Sequence, residues 1–336
     1  MTNAHSIQSA LTHATRLLND AVTAKLEAQL LLQHALNVNR AWLIAHQNDA
    51  LEASTYAAYR ALINRRVNSE PIAYILGYRE FYGLKLKVTP DTLIPRPDTE
   101  TLVEAALAKI DLMLSPSPPS LPSPQPSPTR GEGVITAQNG VDSSPSPQRG
   151  RGVGERGGIT ILDLGTGTGA IALAIAKHRP QAKLAATDAS QAALDIAIEN
   201  ARNLQITNVK FILSDWFIDL KGEKFDIIVS NPPYIAQDDF HLSSGDLPWE
   251  PISALVPGQS FSLDSKNAQK EDGLSSIKQI ISDAPVHLNK DGWLMLEHGY
   301  NQAEAVASLL KQTGFSAIET IKDLGGNDRV TQGKLC

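Results

Sequence analysis

Cysteine is almost absent from this sequence: of its 336 residues only the last, Cys336, is a cysteine. One terminal thiol excludes an internal disulfide framework and any zinc or iron–sulfur site built from several cysteines. The eight histidines show no metal-ligand spacing, so we expect no bound metal. Basic residues are outnumbered, with 30 Lys and Arg against 36 Asp and Glu. An acidic chain is poorly suited to indiscriminate phosphate binding, and we expect no direct binding of nucleic acid.

Long apolar runs are also missing. No run approaches the roughly 18 apolar residues that a membrane span requires, and the N-terminus lacks the basic and then apolar segments of a signal peptide. We therefore expect a cytoplasmic protein without a membrane partner. We also expect a monomer, although nothing in the sequence specifies the oligomeric state. Apolar residues still make up 42% of the chain, which is enough for a sizeable core. The length suggests about two domains.

Residues 1–76 are predicted to form a small helical bundle, because their apolar residues recur at helical spacing. The expected core stripes are Val22, Leu26 and Leu30 in one helix and Tyr56, Tyr59, Ile63 and Val67 in another. Residues 77–114 are expected to contain a short hairpin at 81–88 and then a connecting helix. Two prolines keep 94–100 extended, and Asp98 is placed where the N-cap of that helix belongs.

Residues 115–158 break the composition of the chain. These 44 residues include nine prolines, eight glycines and eight serines, and only five large apolar residues. So little apolar surface cannot offset the entropy of ordering the segment, and we expect a disordered insertion. Pro-Ser-Pro-Gln occurs in it twice, at 122–125 and 145–148. A docking site is the alternative interpretation, but composition alone specifies no partner and favours a passive insertion.

Residues 159–336 alternate between apolar, β-leaning runs and helical patterns. The predicted strands are 159–164, 183–187, 209–213, 225–230 and 292–297, and the predicted helices are 170–178, 190–203, 274–288 and 301–313. Such alternation is typical of an α/β fold whose doubly wound, mostly parallel sheet is covered by helices on both faces. We expect this part of the chain to be catalytic.

A glycine-rich loop follows the first of these strands and opens the first helix. Gly165, Gly167 and Gly169 allow a tight turn and bring a ligand close to the main chain. Asp188 ends the next strand, where a carboxylate can accept hydrogen bonds from ribose hydroxyls. This combination predicts a cofactor that contains adenosine.

Two such cofactors fit the loop. GTGTGA at 165–170 satisfies the dinucleotide fingerprint, which would make the protein a hydride-transferring enzyme. The alternative is S-adenosyl-L-methionine, whose ammonium group Asp163 could attract. A carboxylate this close to a pyrophosphate would repel it, so Asp163 favours S-adenosyl-L-methionine.

A second motif, Asn231-Pro232-Pro233-Tyr234, directly follows the predicted strand 225–230. Carboxyl ends of strands line the ligand crevice of an open α/β sheet, so the motif should face the same cleft as the glycine loop. The Asn231 side chain and the Pro232 backbone offer two carbonyl acceptors, and Tyr234 offers a flat ring. This set suits a planar amino group, either an amide or an exocyclic base amine.

Such nitrogens are poor nucleophiles because their lone pair is delocalised. Accepting both N–H groups holds the nitrogen with its lone pair directed at the methyl group to be transferred. The reaction is then an in-line displacement to which the protein contributes mainly positioning and electrostatics. No strong base is required before transfer, and none is evident near the motif in the sequence.

The motifs resemble known families. The glycine loop, Asp188, Asp215-Trp216 and the Asn-Pro-Pro-Tyr motif are similar to class I methyltransferases that use S-adenosyl-L-methionine to modify amide or amino nitrogens. IPRPDTE at 94–100, SNPPYI at 230–235 and LEHG at 296–299 resemble the release factor glutamine methyltransferases more specifically. This resemblance covers residues 1–114 and 159–336.

The resemblance implies a Rossmann-like methyltransferase domain at 159–336 and a substrate-recognition domain at 1–76. It implies methylation of the glutamine side chain in the Gly-Gly-Gln motif of peptide chain release factors 1 and 2, proteins of translation termination. The implied cofactor contacts are Asp163, Gly165, Thr166, Gly167, Thr168, Gly169, Asp188, Asp215, Trp216 and Asn231, with Trp216 against the adenine. The implied substrate contacts are Arg96, Asn231, Pro232, Pro233 and Tyr234, of which Asn231, Pro232 and Tyr234 are catalytic.

Two segments depart from the family pattern, namely 115–158 and an expanded stretch at 257–271. Neither removes a motif residue. Glu297 and His298 are interpreted as residues that support the sheet rather than as chemical groups.

Four other functions remain as alternatives to methylation of the release factors. Within the methyltransferases they are glutamine methylation of ribosomal protein L3 and N6-adenine methylation of nucleic acid, against which the acidic charge counts. Outside them are a nicotinamide oxidoreductase and a non-catalytic adapter for the release factor.

Overall fold

The structure is a computed structural model that describes residues 5–19, 23–115, 158–258 and 272–336. Its N-terminal part is a bundle of five helices: α1 (Ile7–Leu18), α2 (Ala24–Leu36), α3 (Arg40–Ala45), α4 (Ala53–Val67) and α5 (Ile72–Leu76). Tyr59 and Ile63 lie in its core as predicted, and the Tyr59 hydroxyl donates a 3.0 Å hydrogen bond to the Ala28 carbonyl on α2.

The predicted stripes of this bundle are partly wrong. Leu26 and Val67 are about half exposed, at 50% and 49%, and Val22 lies outside the described residues. Residues spaced by four drift around a helix of 3.6 residues per turn, so a stripe built on that spacing leaves the buried face. The face of α2 that is buried consists of Ala24, Ala28, Leu31 and Leu32.

A hairpin and a long helix connect the bundle to the sheet. The hairpin pairs β1 (Tyr78–Phe81) with β2 (Leu84–Lys87), so 81–88 covers its turn and second strand but not the start of its first. A single 3-10 turn, Pro97–Thr99, then leads into α6 (Glu100–Leu114). The prediction that Asp98 caps α6 is wrong. Asp98 lies inside the 3-10 turn, and its carboxylate instead pairs with Arg329 at 3.1 Å.

The C-terminal part is a seven-stranded sheet. Its strands are β3 (Thr160–Leu164), β4 (Lys183–Asp188), β5 (Val209–Leu213), β6 (Phe225–Ser230), β7 (Leu288–Glu297), β8 (Phe315–Lys322) and β9 (Asp328–Leu335). Its helices are α7 (Ala170–His178), α8 (Gln191–Asn203), α9 (Ser275–His287) and α10 (Ala303–Gln312). The strand order is β5-β4-β3-β6-β7-β9-β8. Strand β9 pairs in the antiparallel direction with both β7 and β8, and the other neighbouring strands of this sheet pair in parallel.

This topology is a class I methyltransferase fold, and it confirms the fold class predicted from the sequence. Every predicted strand and helix of this part is present, while β8 and β9 were not predicted. The central strands β3, β4 and β6 run parallel, with Leu164 opposite both Thr187 and Ser230. The segments that follow these three strands therefore emerge side by side at one edge of the sheet, and they carry the motifs.

Two segments depart from the family pattern, 115–158 and 257–271, and both lie mostly outside the described residues. The structure does not describe 116–157 or 259–271. The predicted disorder of 115–158 and the division into four parts therefore stay predictions. Among the helices that are described, none is long and apolar enough to cross a membrane.

Candidate functional site

The glycine loop owes its shape to backbone conformations that favour glycine. Gly165, Gly167 and Gly169 all have positive φ angles, of 70°, 55° and 82°. Gly169 also has no room for a side chain, because a Cβ there would lie 3.0 Å from Leu173 and 3.2 Å from Ala197. By contrast, a Cβ at Gly167 would meet nothing within 4 Å. The loop is therefore packed against α7 and α8 at one end and open at its middle.

Asp163 lies beneath this loop and is completely buried. Its Oδ2 accepts hydrogen bonds from the Thr166 hydroxyl at 2.7 Å and from the Ala172 N–H at 3.2 Å. Its Oδ1 is buried without a hydrogen-bond partner in the described part of the chain. Burial raises the pKa of Asp163 to about 7, against the lowering effect of its two donors. The site thus contains an acidic group that a nearby cation would stabilise in its charged form.

Asp188 ties the loop to the neighbouring strand. Its Oδ2 accepts from the Gly167 N–H at 2.8 Å and its Oδ1 from the Ser190 N–H at 2.9 Å. Burial raises the pKa of this carboxyl as well, although its backbone donors oppose the shift. Each carboxylate oxygen has a second lone pair, so Asp188 can still accept from ribose hydroxyls.

Trp216 is placed against the glycine loop. A Cβ at Gly165 would lie 3.6 Å from the Trp216 ring, so the indole flanks the first glycine. The backbone of Trp216 has a positive φ of 49°, and its carbonyl accepts from the Ser214 hydroxyl at 2.9 Å. Asp215 is exposed and makes no side-chain hydrogen bond within the described residues. Its assignment as a cofactor contact remains a prediction.

The Asn-Pro-Pro-Tyr motif presents two acceptors that the protein itself leaves open. The Asn231 amide nitrogen donates to the Thr99 hydroxyl at 3.2 Å. Over the described ranges, neither Asn231 Oδ1 nor the Pro232 carbonyl oxygen receives a hydrogen bond from the protein. Two adjacent acceptors are thus available to an NH₂ group from outside the chain.

Tyr234 completes the motif and is anchored by its hydroxyl. This hydroxyl lies 3.2 Å from Glu297 Oε1 at the end of β7, and its pKa is raised mainly by burial. Gly273 keeps the backbone of Tyr234 in place from the other side, since a Cβ there would lie only 2.3 Å from the Tyr234 carbonyl oxygen. His298, next to Glu297, is buried, with Nε2 2.7 Å from Thr331 Oγ1 on β9, a contact within the sheet.

Arg96 forms an ion pair with an acidic residue that was not predicted from the sequence. Its guanidinium pairs with Oε1 of Glu250, a residue only 6% exposed whose Oε2 also accepts from the Ile94 N–H at 2.9 Å. Burial raises the pKa of Glu250, and the Arg96 charge opposes that shift. The pair joins the 94–100 stretch to the segment after the Asn-Pro-Pro-Tyr motif. Contact of Arg96 with a substrate remains a prediction.

We expect Arg96→Met to lower the free energy of unfolding by about 1–3 kcal/mol, because it leaves the buried Glu250 carboxylate without its charge partner. Arg96→Lys should lose less, since it keeps the charge. Urea denaturation measures both. The matched control is Arg65→Met, whose pair with Glu70 is more exposed and should contribute less than about 1 kcal/mol. Equal losses for Arg96→Met and Arg65→Met would contradict the expectation.

Thr99, Glu250 and Glu297 contact the predicted site residues but were not selected from the sequence. Thr99 and Glu297 fall inside IPRPDTE and LEHG, so the family resemblance offered a signal for both. Glu250 belongs to none of the motifs, and no local signal marked it.

Comparisons with known proteins identify the family of this chain. Family models for the PrmC N-terminal domain and for the methyltransferase small domain match residues 9–77 and 154–246. A release factor glutamine methyltransferase of Xylella fastidiosa is 41% identical over 310 residues, covering 92% of this chain and 93% of the relative. Relatives of the same name from Pseudomonas aeruginosa and Vibrio cholerae are each 40% identical, covering 94% and 98% of this chain and 95% and 96% of their own.

Solved structures match less closely. A ribosomal protein L11 methylase from Lactobacillus delbrueckii is 20% identical with a TM-score of 0.37, over 55% of this chain and 73% of its own. A Thermus thermophilus 16S rRNA N2 G1207 methyltransferase in complex with AdoMet and guanosine has 20% identity and a TM-score of 0.36, over 53% and 38%. These TM-scores are too low to bear on function. The sequence relatives are decisive, because they match at about 40% identity over more than nine-tenths of the chain, and by them this chain belongs to the release factor glutamine methyltransferase family.

Proposed function

We propose that this protein transfers a methyl group from S-adenosyl-L-methionine to the side-chain amide nitrogen of the glutamine in the Gly-Gly-Gln motif of peptide chain release factors 1 and 2. The observation that carries the proposal is the pair of open acceptors, Asn231 Oδ1 and the Pro232 carbonyl, placed beside a glycine loop at one edge of the sheet. The place of action is then the cytoplasm, where release factors work.

The residues of the glycine loop suit this cofactor. Asp163 Oδ1, which is buried and has no hydrogen-bond partner in the described ranges of the chain, would provide negative charge beneath the loop, and Gly167 leaves open space above it. Asp188 would bind the ribose hydroxyls and Trp216 would pack against the adenine. S-adenosyl-L-methionine supplies a methyl group on a positively charged sulfur, which is electrophilic enough to react with a weak nucleophile.

The Asn-Pro-Pro-Tyr motif would act on the glutamine amide. Asn231 Oδ1 and the Pro232 carbonyl would each accept one N–H, and Tyr234 would limit the amide to one plane. With both hydrogens held in the plane of the acceptors, the nitrogen lone pair would lie perpendicular to that plane and face the group to be transferred. Transfer would break the carbon–sulfur bond of the sulfonium group and release a neutral thioether. The excess proton on the methylated nitrogen is acidic and would be lost to water, so no protein base is required. The protein contributes position and electrostatics.

Mass spectrometry tests this proposal. The purified protein is incubated with S-adenosyl-L-methionine and unmethylated release factor, and the peptide that contains Gly-Gly-Gln is analysed. We expect one added methyl group on the glutamine. A release factor with glutamate in place of that glutamine is the control and should gain none. Methylation of ribosomal protein L3 or of nucleic acid in its place would contradict the proposal and favour one of the alternatives.

A further inference from the structure

The side chain of Asn231 is held by a residue 132 positions earlier in the chain. Thr99, which is only 4% exposed, accepts the 3.2 Å hydrogen bond from the Asn231 amide nitrogen. The two ends of a carboxamide have nearly the same shape, so its surroundings decide which end faces the cleft. A hydroxyl alone does not decide it, because it can donate to the oxygen as readily as it accepts from the nitrogen.

Glu297 determines whether the Thr99 hydroxyl donates to Asn231 or accepts from it. Its carboxylate is 1% exposed, and Oε1 accepts from Tyr234 while Oε2 has no hydrogen-bond partner in the described residues. The Thr99 hydroxyl favours the charged form of this carboxylate and so opposes the rise in the pKa of Glu297 that burial causes. A charged carboxylate only accepts. The Thr99 proton is therefore drawn towards Glu297, which leaves the Thr99 lone pairs for the Asn231 nitrogen.

We infer that Thr99 and Glu297 are positioning residues that turn Asn231 Oδ1 towards the incoming amide and hold the Tyr234 hydroxyl. The role in methyl transfer rests on the proposed function, whereas the orientation of Asn231 does not. Thr99 precedes α6, Glu297 ends β7, and the motif follows β6, so three separate elements fix one acceptor.

The charge on Glu297 makes this arrangement sensitive to pH. Tyr234, Arg329 and Asp98 are the ionisable groups that face Glu297. Burial raises the pKa of Glu297 to about 7, while the Thr99 hydroxyl, the Arg329 charge and the Tyr234 hydroxyl oppose the rise. Once protonated, the carboxyl can donate to Thr99, and Thr99 no longer has to accept from Asn231. The preference for one amide orientation should therefore weaken as the pH falls below the pKa of Glu297.

The kinetic test compares Thr99→Val, which keeps the shape and removes the hydroxyl, with Thr99→Ser, which restores it. We expect Thr99→Val to lower kcat about 10-fold, the equivalent of one ordinary hydrogen bond, with the KM for S-adenosyl-L-methionine unchanged. Thr99→Ser should recover most of the loss. Thr92→Val is the matched control, because Thr92 is 1% exposed and its hydroxyl donates to the Thr89 carbonyl, its one hydrogen bond within the described residues. It should change stability and leave kcat alone.

A double variant decides whether Thr99 acts through Asn231. Thr99→Val added to Asn231→Ala should reduce kcat no further, since the amide to be oriented is already gone. If the reductions in kcat of Thr99→Val and Asn231→Ala multiply in the double variant, the inference is overturned. A Thr99→Ser variant as slow as Thr99→Val would overturn it as well.

Nuclear magnetic resonance separates this inference from the proposed function. The side-chain amide signals of Asn231, identified by their absence in Asn231→Ala, should shift in Thr99→Val and not in Thr99→Ser, whichever substrate the protein methylates. They should also titrate with Glu297 in the wild type and not in Glu297→Gln. If the Asn231 amide signals do not shift in Thr99→Val, the inference is overturned even if the release factor is methylated. Shifted signals without methylation of the release factor would support the orientation and refute the proposed function.

Discussion

Replacing Asn231 by alanine is expected to lower kcat about 100- to 1000-fold, the range seen when one preorganised polar contact to a reacting group is removed. The substitution deletes the Oδ1 acceptor, so the glutamine amide keeps only the Pro232 carbonyl and can rotate about that single hydrogen bond. Its lone pair is then directed at the methyl group for a small part of the time. Rates of methyl transfer to release factor, measured with saturating cofactor, test this.

The same variant should still bind the cofactor, because Asp163, Asp188 and the glycine loop are intact. Isothermal titration with S-adenosyl-L-methionine checks this point. Asn203→Ala, at an exposed position at the end of α8, is the control and should behave as the wild type. If Asn231→Ala kept a kcat within about threefold of the wild type, the acceptor would not matter and the proposed chemistry would be wrong. A wild type that binds release factor without methylating it would indicate an adapter.

Asp163→Asn has the second largest expected effect: cofactor affinity should fall on the order of 100-fold, as for the loss of a charge-assisted contact. The substitution keeps the volume of the side chain but removes the negative charge beneath the loop. Isothermal titration at neutral pH measures the dissociation constant. Asp219→Asn, an exposed change on the segment after β5, is the matched control. Undiminished affinity in Asp163→Asn would show that the cofactor does not depend on this charge.

Asp163→Asn should also change how the stability of the cofactor-free protein depends on pH. The folded protein holds the Asp163 proton with a pKa of about 7, whereas the unfolded chain releases it near the ordinary aspartate pKa of 3.8. The folded state therefore binds more protons between these values, and the free energy of unfolding falls as the pH rises through that window. The raised pKa of Glu297 likewise makes the free energy of unfolding fall as the pH rises.

Removing Asp163 takes away one of these two contributions. Urea denaturation at a series of pH values from 4 to 8 should give a shallower fall for Asp163→Asn than for the wild type. Parallel curves would contradict the raised pKa. The two effects together predict that Asp163 weakens the empty protein near neutral pH and strengthens cofactor binding, a conflict that is common at functional sites.

Local sequence patterns predicted most of the strands and helices that position the site residues. The strands 160–164 and 225–230 and the helix 170–178 were predicted to within one residue, because short apolar runs, glycines and helical periodicity restrict the backbone locally. Local pattern did not reveal β8 and β9. It also placed Leu26 in the core, although a spacing of four residues drifts off the buried face of a helix, and it placed Asp98 at a helix cap, although Asp98 pairs with Arg329.

The sequence by itself determined the order of strands and helices, the glycine loop, the Asn-Pro-Pro-Tyr motif and the family they resemble. Only the tertiary structure decided that Thr99 faces Asn231 and that Glu297 anchors Tyr234. It also decided that one oxygen of Asp163 is buried without a partner among the residues that the structure describes. The physical reason is distance along the chain. A backbone conformation depends on residues a few positions away, whereas a hydrogen bond across 132 residues, or the pKa of a buried carboxyl, depends on which elements pack around it.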